Sequence, residues 1–199
     1  MNPPLPPPSP PLRRSDRELP ATWVVRLIDD FADRYHAFRR EMSGGQWRSL
    51  VLMGALLYAP SRLLHEAGHL AAGLLLGAEV EGFHVGGSWP LDAVVTLVSV
   101  KIRPLDLYLR VEPNLLWGAY LRWDTRGVGW VLRPLLAVAG PVVTFLIGHF
   151  AWRAYVRDPG RRWLFVLYAV NFALFLFGFV IPISGNDGYH FWRMVLRKE

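Results

Sequence analysis

The chain contains no cysteine and only two lysines, and both shortages limit its chemistry. Without cysteine it can form neither a disulfide nor a thiolate metal site, so any metal must be bound by His, Asp or Glu. The formal net charge of +6 therefore comes almost entirely from arginine. These arginines flank apolar segments, a distribution that suits lipid head groups and membrane orientation. No basic stripe with interleaved aromatic residues occurs, so a nucleic-acid partner is not expected.

Charged residues are scarce, at 19% of the sequence, while apolar residues make up 52%. This composition indicates an integral membrane protein, and 199 residues suffice for one domain. A signal peptide is not expected, because residues 2–12 are mostly proline and the first long apolar run begins near Leu50. We therefore expect a multi-pass protein of the cell membrane.

The sequence divides into three parts by composition. Residues 1–20 are rich in proline and are predicted to be a disordered or polyproline tail. Residues 21–45 show helical periodicity, with Leu27 and Phe31 on the apolar face, and end in a Ser-Gly-Gly sequence. This amphipathic helix is too polar to span a bilayer, so we expect it at the membrane interface. Residues 46–199 form the predicted membrane core.

Three segments are predicted to cross the membrane. They run from about Ser49 to Ala78, from about Pro134 to Trp152 and from about Trp163 to Asn186. Each can cover the roughly 30 Å hydrocarbon layer at about 1.5 Å per residue. The second and third contain no Asp, Glu, Lys or Arg. A kink or break is expected in the first segment at Pro60, because proline leaves a helical carbonyl without its donor.

A β-hairpin is predicted between the first and second spans. Apolar and polar residues alternate along 98–103 and again along 106–112. This period of two is typical of strands, and Pro104 lies between the two runs, where a turn is needed.

The first predicted span contains His65-Glu66-Ala67-Gly68-His69, which fits the pattern H-E-x-x-H. Residues four apart on a helix are turned only about 40° from one another, so both imidazoles can point at one ion. Glu66 lies beside them, where it can take a proton from a metal-bound water. With 6 His and 7 Glu in 199 residues, chance gives about 0.006 such patterns. The alternative is a polar cluster in which Arg62 pairs with Glu66, although ionisable residues inside an apolar span usually serve function.

A tetrahedral catalytic zinc site needs a third protein ligand. Asp187 is a candidate because it ends the uncharged third segment, in the sequence Ser-Gly-Asn-Asp-Gly. Gly188 would allow a tight backbone there, and Pro182 would distort the helix and direct the carboxylate inward. Spacing alone allows a plain Asp-Gly turn at a helix end equally well.

Three sequence elements together resemble the site-2 protease family of intramembrane metalloproteases. They are His65–His69, Ala139-Gly140-Pro141 at the start of the second span, and Ile181–Gly188, which is similar to the family's L-P-x-x-P-L-D-G. The resemblance implies that His65, His69 and Asp187 bind zinc. It also implies that Glu66 acts as the general base.

The resemblance covers residues 49–82 and 132–192, and it implies that the hairpin between them is membrane-associated. The predicted fold class is therefore an α-helical membrane protein. Its three-span core carries a membrane-associated β-hairpin between the first and second spans. This chain departs from the family pattern in having Asn186 where a Leu is usual, and in lacking the second Pro.

The expected function is hydrolysis of a peptide bond in or near a transmembrane segment, with a membrane-protein substrate and the lipid bilayer as partners. One alternative is a membrane-anchored zinc enzyme of another class that faces water. Its third ligand would come from the residues soon after the motif, namely Glu79, Glu81, His84 and Glu112. The other is a membrane scaffold or chaperone that keeps the protease fold without proteolysis.

The charge distribution predicts that the N-terminus is cytoplasmic. With three spans, the side of the N-terminus carries 12 Lys and Arg and the other side carries 9. Positive residues favour the cytoplasm. The resemblance implies the opposite, because it places the metal site nearer the cytoplasm.

Overall fold

The computed structural model describes residues 21–40, 42–86, 96–103, 106–113, 119–184 and 186–196. The chain divides into two compact units, Met1–Trp47 and Arg48–Glu199. In the first unit, helix α1 spans Ala21–Arg40, so the predicted helix forms but ends before Ser43. The predicted tail, residues 1–20, lies outside the described residues. The interfacial position of α1 stays a prediction.

Helix α2 spans Gly44–Leu76 and carries the metal-binding motif predicted from the sequence. The backbone N–H of Ser43 donates to Gln46 Oε1 at 2.9 Å, which is half of a capping box. The two glycines after Ser43 therefore open α2 and do not end α1. The helix continues through Pro60, so the structure shows no break there.

Two helices are long and apolar enough to cross a membrane. The first is α3, Arg133–Arg157. The second, Arg162–Val180, consists of helix α4, Arg162–Phe175, and a π-helical turn, Leu176–Val180. Among the described helices α2 does not reach the same apolarity, because charged side chains interrupt it. Two of the three predicted spans therefore have support, and a three-span core is not confirmed.

The second candidate span ends earlier than the sequence predicted. Its π-helical turn stops at Val180, and Ile181 is extended. Pro182 cannot continue a helix because it has no N–H to donate. The chain then enters a further helix, α5, at Asp187–Val195. The prediction that Asp187 ends the third span was wrong, since Asp187 opens the next helix.

A mixed four-stranded sheet follows α2. Its strands are β1, Glu79–Val85; β2, Val98–Ile102; β3, Leu107–Val111; and β4, Ala119–Asp124. Their order in the sheet is β2-β3-β1-β4. Strands β2 and β3 pair antiparallel, which confirms the predicted hairpin, although its turn at Pro104 lies outside the described residues. Strand β1, parallel to β3 and antiparallel to β4, was not predicted, and neither was β4.

The sheet packs on the helix that carries the motif. Phe83, Leu107 and Ala119 form a buried cluster. Leu63 and Leu70, both on α2, pack against it. Since these two residues flank the predicted metal ligands on α2, the sheet fixes the position of that stretch of helix.

Polar and apolar contacts join α2 to the two candidate spans. Leu136 of α3 is fully buried with Ala78, just beyond the end of α2. On the other side, Asn171 of α4 donates from Nδ2 to Ser61 Oγ of α2 at 3.0 Å, and both residues are buried. This buried hydrogen bond joins α2 to the second candidate span.

Candidate metal centre

The structure brings His65, His69 and Asp187 together. Their ligand atoms all lie within 4.8 Å of one another. The two imidazole Nε2 atoms are 3.2 Å apart. Asp187 Oδ2 lies 2.8 Å from His65 Nε2, and Asp187 Oδ1 lies 3.3 Å from His69 Nε2. This buried group can hold a metal ion.

The spacing of these atoms fits a small tetrahedral ion. Ligand bonds of about 2.0–2.1 Å place two ligand atoms of a tetrahedron about 3.3–3.4 Å apart. The Nε2–Nε2 distance of 3.2 Å and the longer His–Asp distance of 3.3 Å are close to this value, and the shorter His–Asp distance of 2.8 Å is that of a direct hydrogen bond. The donor set of two imidazoles and a carboxylate, with no thiolate, suits zinc. It also suits other first-row divalent metals, so the geometry alone does not select one.

The α3 helix orients one of the two imidazoles. His69 Nδ1 lies 2.6 Å from the backbone carbonyl of Leu136, so this nitrogen carries the proton and donates. The tautomer leaves Nε2 free for a metal, as is usual for metal-bound histidine. His65 Nδ1 is buried and has no hydrogen-bond partner in the described part of the chain. Among the described residues, a hydrogen bond to Nδ1 therefore orients His69 but not His65.

Two glycines allow α3 to approach the motif this closely. A Cβ at Gly140 would lie 2.7 Å from His65 Nε2 and would also collide with the His69 ring. A Cβ at Gly68 would lie 2.8 Å from the carbonyl oxygen of Ala139. The glycine of the Ala-Gly-Pro sequence thus makes room for the imidazoles, and the glycine of the motif makes room for α3.

Asp187 reaches the histidines from the first turn of α5. The following residue, Gly188, is buried, and any side chain there would collide with the carbonyl of Phe179. The start of α5 therefore packs directly against the π-helical turn. The Asp187 side chain is 26% exposed, whereas those of His65 and His69 are 1% and 4% exposed. The group is therefore open to its surroundings on the α5 side.

Glu66 is buried next to the ligands on α2, and it forms an ion pair. Arg62 Nη2 lies 2.8 Å from Glu66 Oε1 and also donates to the carbonyl of Ala119 at 3.0 Å. The sequence had raised this pair as the alternative to a catalytic role. The arginine connects the predicted general base to the first residue of β4, so the sheet contributes to the position of Glu66.

Trp123 was missed from the sequence because the strand that carries it was not predicted. Its ring meets the His69 ring edge to face, with centroids 5.9 Å apart. It also packs within 3.3 Å of the position a Cβ would take at Gly73, another small residue of α2. The indole therefore covers the group on the side of the sheet.

The other ligands considered from the sequence lie elsewhere. Glu79 and Glu81 are exposed on β1. His84 and Glu112 bind each other, with His84 Nδ1 donating to Glu112 Oε1 at 2.7 Å. Tyr120 donates to the same oxygen at 2.7 Å. Burial and this hydrogen bond raise the pKa of Tyr120 to about 12.

Two further histidines, left out of the predicted ligand set, are also absent from the group. His149 is exposed on α3, stacked on Phe145. His190 is exposed on α5, against Tyr189.

A scan of protein-family models finds no match to this chain, and a search of curated proteins finds none either. The resemblance to the site-2 protease family therefore rests on the three sequence elements and stays a hypothesis.

Proposed function

We propose that this protein is an intramembrane zinc metalloprotease that cleaves a membrane-protein substrate in or near a transmembrane segment. The observation that carries the proposal is the convergence of His65, His69 and Asp187, which are 122 residues apart at the extremes. Side chains so distant in sequence rarely meet with three ligand atoms in one buried group unless the group binds something. Glu66 lies within the same motif.

Different residues of this chain would bind the metal ion and transfer the proton. His65, His69 and Asp187 would hold the ion. A zinc ion at this site would polarise the scissile carbonyl and lower the pKa of a bound water to about 7. Glu66 accepts the proton of the attacking water and returns it to the leaving amine. Arg62 holds the Glu66 side chain through a charge-assisted hydrogen bond and so limits its rotation.

The exposure pattern along α2 supports a third membrane span. Ser61 and the three ionisable residues of the motif are buried, whereas Val51, Leu52, Leu56 and Leu75 are 69%, 62%, 67% and 86% exposed. Polar side chains thus point toward the other helices, and large apolar side chains point outward. Ionisable residues within membrane spans are turned inward in the same way. We therefore propose a core of α2, α3 and the α4 segment in the membrane.

Strand β2 supports a membrane-protein segment as the substrate. It lies at one edge of the sheet that the structure describes. Val98 and Val100 on this strand are 52% and 51% exposed. An edge strand with unpaired backbone groups can add an extended peptide by β-pairing, and its apolar side chains favour an apolar partner.

A non-proteolytic membrane scaffold is the second candidate. The Arg62–Glu66 ion pair favours it, because a paired carboxylate can be purely structural. A membrane-anchored zinc enzyme of another class has less support. None of its four candidate third ligands lies in the one group of possible metal ligands found among the described residues.

The Glu66→Gln variant distinguishes a protease from a non-proteolytic scaffold. We would reconstitute the wild type and the variant in lipid with a panel of single-span membrane proteins labelled at both ends. The wild type should cleave a member of the panel, and the variant should cleave it about 10²–10⁴-fold more slowly, because the base is lost and the shape is kept. Zinc content should be equal in the two proteins. Equal cleavage rates would contradict the role of Glu66, and zinc binding without any cleavage would favour the scaffold.

A further inference from the structure

Asn186 makes three hydrogen bonds beside the carboxylate ligand. Its Nδ2 donates to the carbonyl of Phe177 at 2.8 Å and to the carbonyl of Ile181 at 2.6 Å. Its Oδ1 accepts from the backbone N–H of Tyr189 at 2.8 Å. The side chain therefore connects the end of the π-helical turn to the start of α5.

The missing N–H of Pro182 explains why the Asn186 amide is needed. In the π-helical turn each carbonyl accepts from the N–H five residues later, and Ile181 N–H donates to Leu176 in this way at 3.0 Å. The next acceptor is Phe177, whose donor would be Pro182. Proline has no N–H. The Phe177 carbonyl would lose its partner, and the Asn186 amide supplies the missing donor.

The same side chain caps α5. Asn186 is the N-cap residue, and asparagine is among the best residues at this position because its oxygen accepts from an N–H of the first turn. One amide thus satisfies a carbonyl at the end of one helix and an N–H at the start of the next. The residue that follows it is Asp187.

We infer that Asn186 is a positioning residue that fixes Asp187 against His65 and His69. The inference rests on the proposed metal site and goes beyond it, because a Leu, usual at this position of the family pattern, can make none of these bonds. The two ends that Asn186 joins belong to different helices. Without these bonds, the start of α5 and its carboxylate are held less firmly relative to the histidines, which are positioned by α2 and α3.

Asn186→Ser separates positioning from helix capping. Serine is a comparably good N-cap, so α5 keeps its cap, but the shorter side chain cannot donate to two carbonyls. Asn186→Ala removes both functions. The control is Ser184→Ala, two positions before Asn186, because Ser184 is exposed and its side chain makes no hydrogen bond among the described residues. All three variants and the wild type are purified without metal, and the folded fraction is isolated by size exclusion.

The readout is metal binding, which does not depend on cleavage. Co²⁺ is titrated into each protein, and affinity and the visible absorption bands of the bound ion are recorded. Loss of a residue that supports a ligand typically costs about 10–100-fold in metal affinity. We expect such a loss, with altered bands, in both Asn186 variants, and wild-type behaviour in Ser184→Ala. The thermal midpoint of the metal-free protein should fall in Asn186→Ala and stay near the wild-type value in Asn186→Ser.

Three results would overturn the inference, and they can be told apart. If the wild type binds Co²⁺ and Asn186→Ser binds it with unchanged affinity and bands, Asn186 only caps α5 and the proposed function survives. If the wild type itself binds no metal, the proposed function fails and the positioning role fails with it. If the Asn186 variants are not recovered folded, Asn186→Asp keeps the side-chain shape but presents oxygen to both carbonyls. Wild-type affinity in that folded variant would equally contradict the inference.

Discussion

Two glycines determine how closely α2 and α3 approach each other at the candidate metal centre. Gly140 faces both imidazoles, and Gly68 faces the backbone of α3. The sequence predicted His65, Glu66 and His69 from their spacing alone. It left Asp187 open between ligand and turn, and only the resemblance favoured the ligand. The contact of Gly140 with the imidazoles could not be predicted, because it depends on how α3 crosses α2.

Gly140→Ala should abolish tight metal binding. The added methyl group occupies space 2.7 Å from His65 Nε2, so one or both imidazoles must turn away. We expect at least about a tenfold loss of metal affinity, by analogy with the loss of other residues that orient metal ligands. Isothermal titration calorimetry with Zn²⁺ measures the metal affinity. The matched control is Gly54→Ala on α2, where a Cβ would meet only Val166 at 3.7 Å. Equal affinities in the two variants would show that the imidazoles do not depend on this glycine.

At the scale of elements, the sheet shows what sequence periodicity detects and what it misses. Strands β2 and β3 alternate cleanly between apolar and polar residues, and they were predicted. Strand β1 contains Gly82 and an irregularity in its pairing with β4, so its pattern is broken. His84 on β1 and Glu112, the residue after β3, meet because β1 and β3 are parallel neighbours. The two residues are 28 positions apart, so spacing gave no signal.

Glu112→Ala should destabilise the sheet strongly. The change leaves His84 Nδ1 and the Tyr120 hydroxyl without their shared acceptor in a buried position. Removing one partner of a buried pair typically costs about 3–5 kcal/mol. The unfolding free energy in detergent, measured by denaturant titration, should fall by about this amount. Glu81→Ala is the control, because Glu81 is exposed and lies 3.8 Å from Arg122, and it should change stability little. A similar small effect of both variants would mean that the buried pair contributes nothing.

For the whole molecule, the number and direction of the spans are the open predictions. The composition indicated a membrane protein, and two helices satisfy the requirements for crossing. The first predicted span, now part of α2, is not supported by its apolarity, because the charged and polar residues of the candidate metal site lower its hydropathy. Polar residues of a functional site inside a span thus lower its mean hydropathy, which is the property by which spans are recognised. The direction of the spans across the membrane is predicted from a small difference in flanking charge. The fold itself is the same in either direction.

We predict that the N-terminus is cytoplasmic, since 12 Lys and Arg lie on its side and 9 on the other when three spans are counted. A single cysteine introduced at Ser9 tests this, because the chain has no native cysteine. It should not react with a membrane-impermeant reagent in intact cells, and it should react after lysis. A cysteine in the connection between α3 and α4, residues 158–161, should behave in the same way. Labelling of both in intact cells would show the reverse orientation.

The zinc content of the purified protein tests the central claim most directly. The account predicts about one zinc per chain in the wild type, bound by His65, His69 and Asp187. It predicts loss of most of this zinc in Asp187→Ala, with Glu66→Gln as a control that retains it. Elemental analysis of the three proteins, purified in parallel, gives the answer. A wild type without stoichiometric metal, or full zinc occupancy in Asp187→Ala, would contradict the proposed centre.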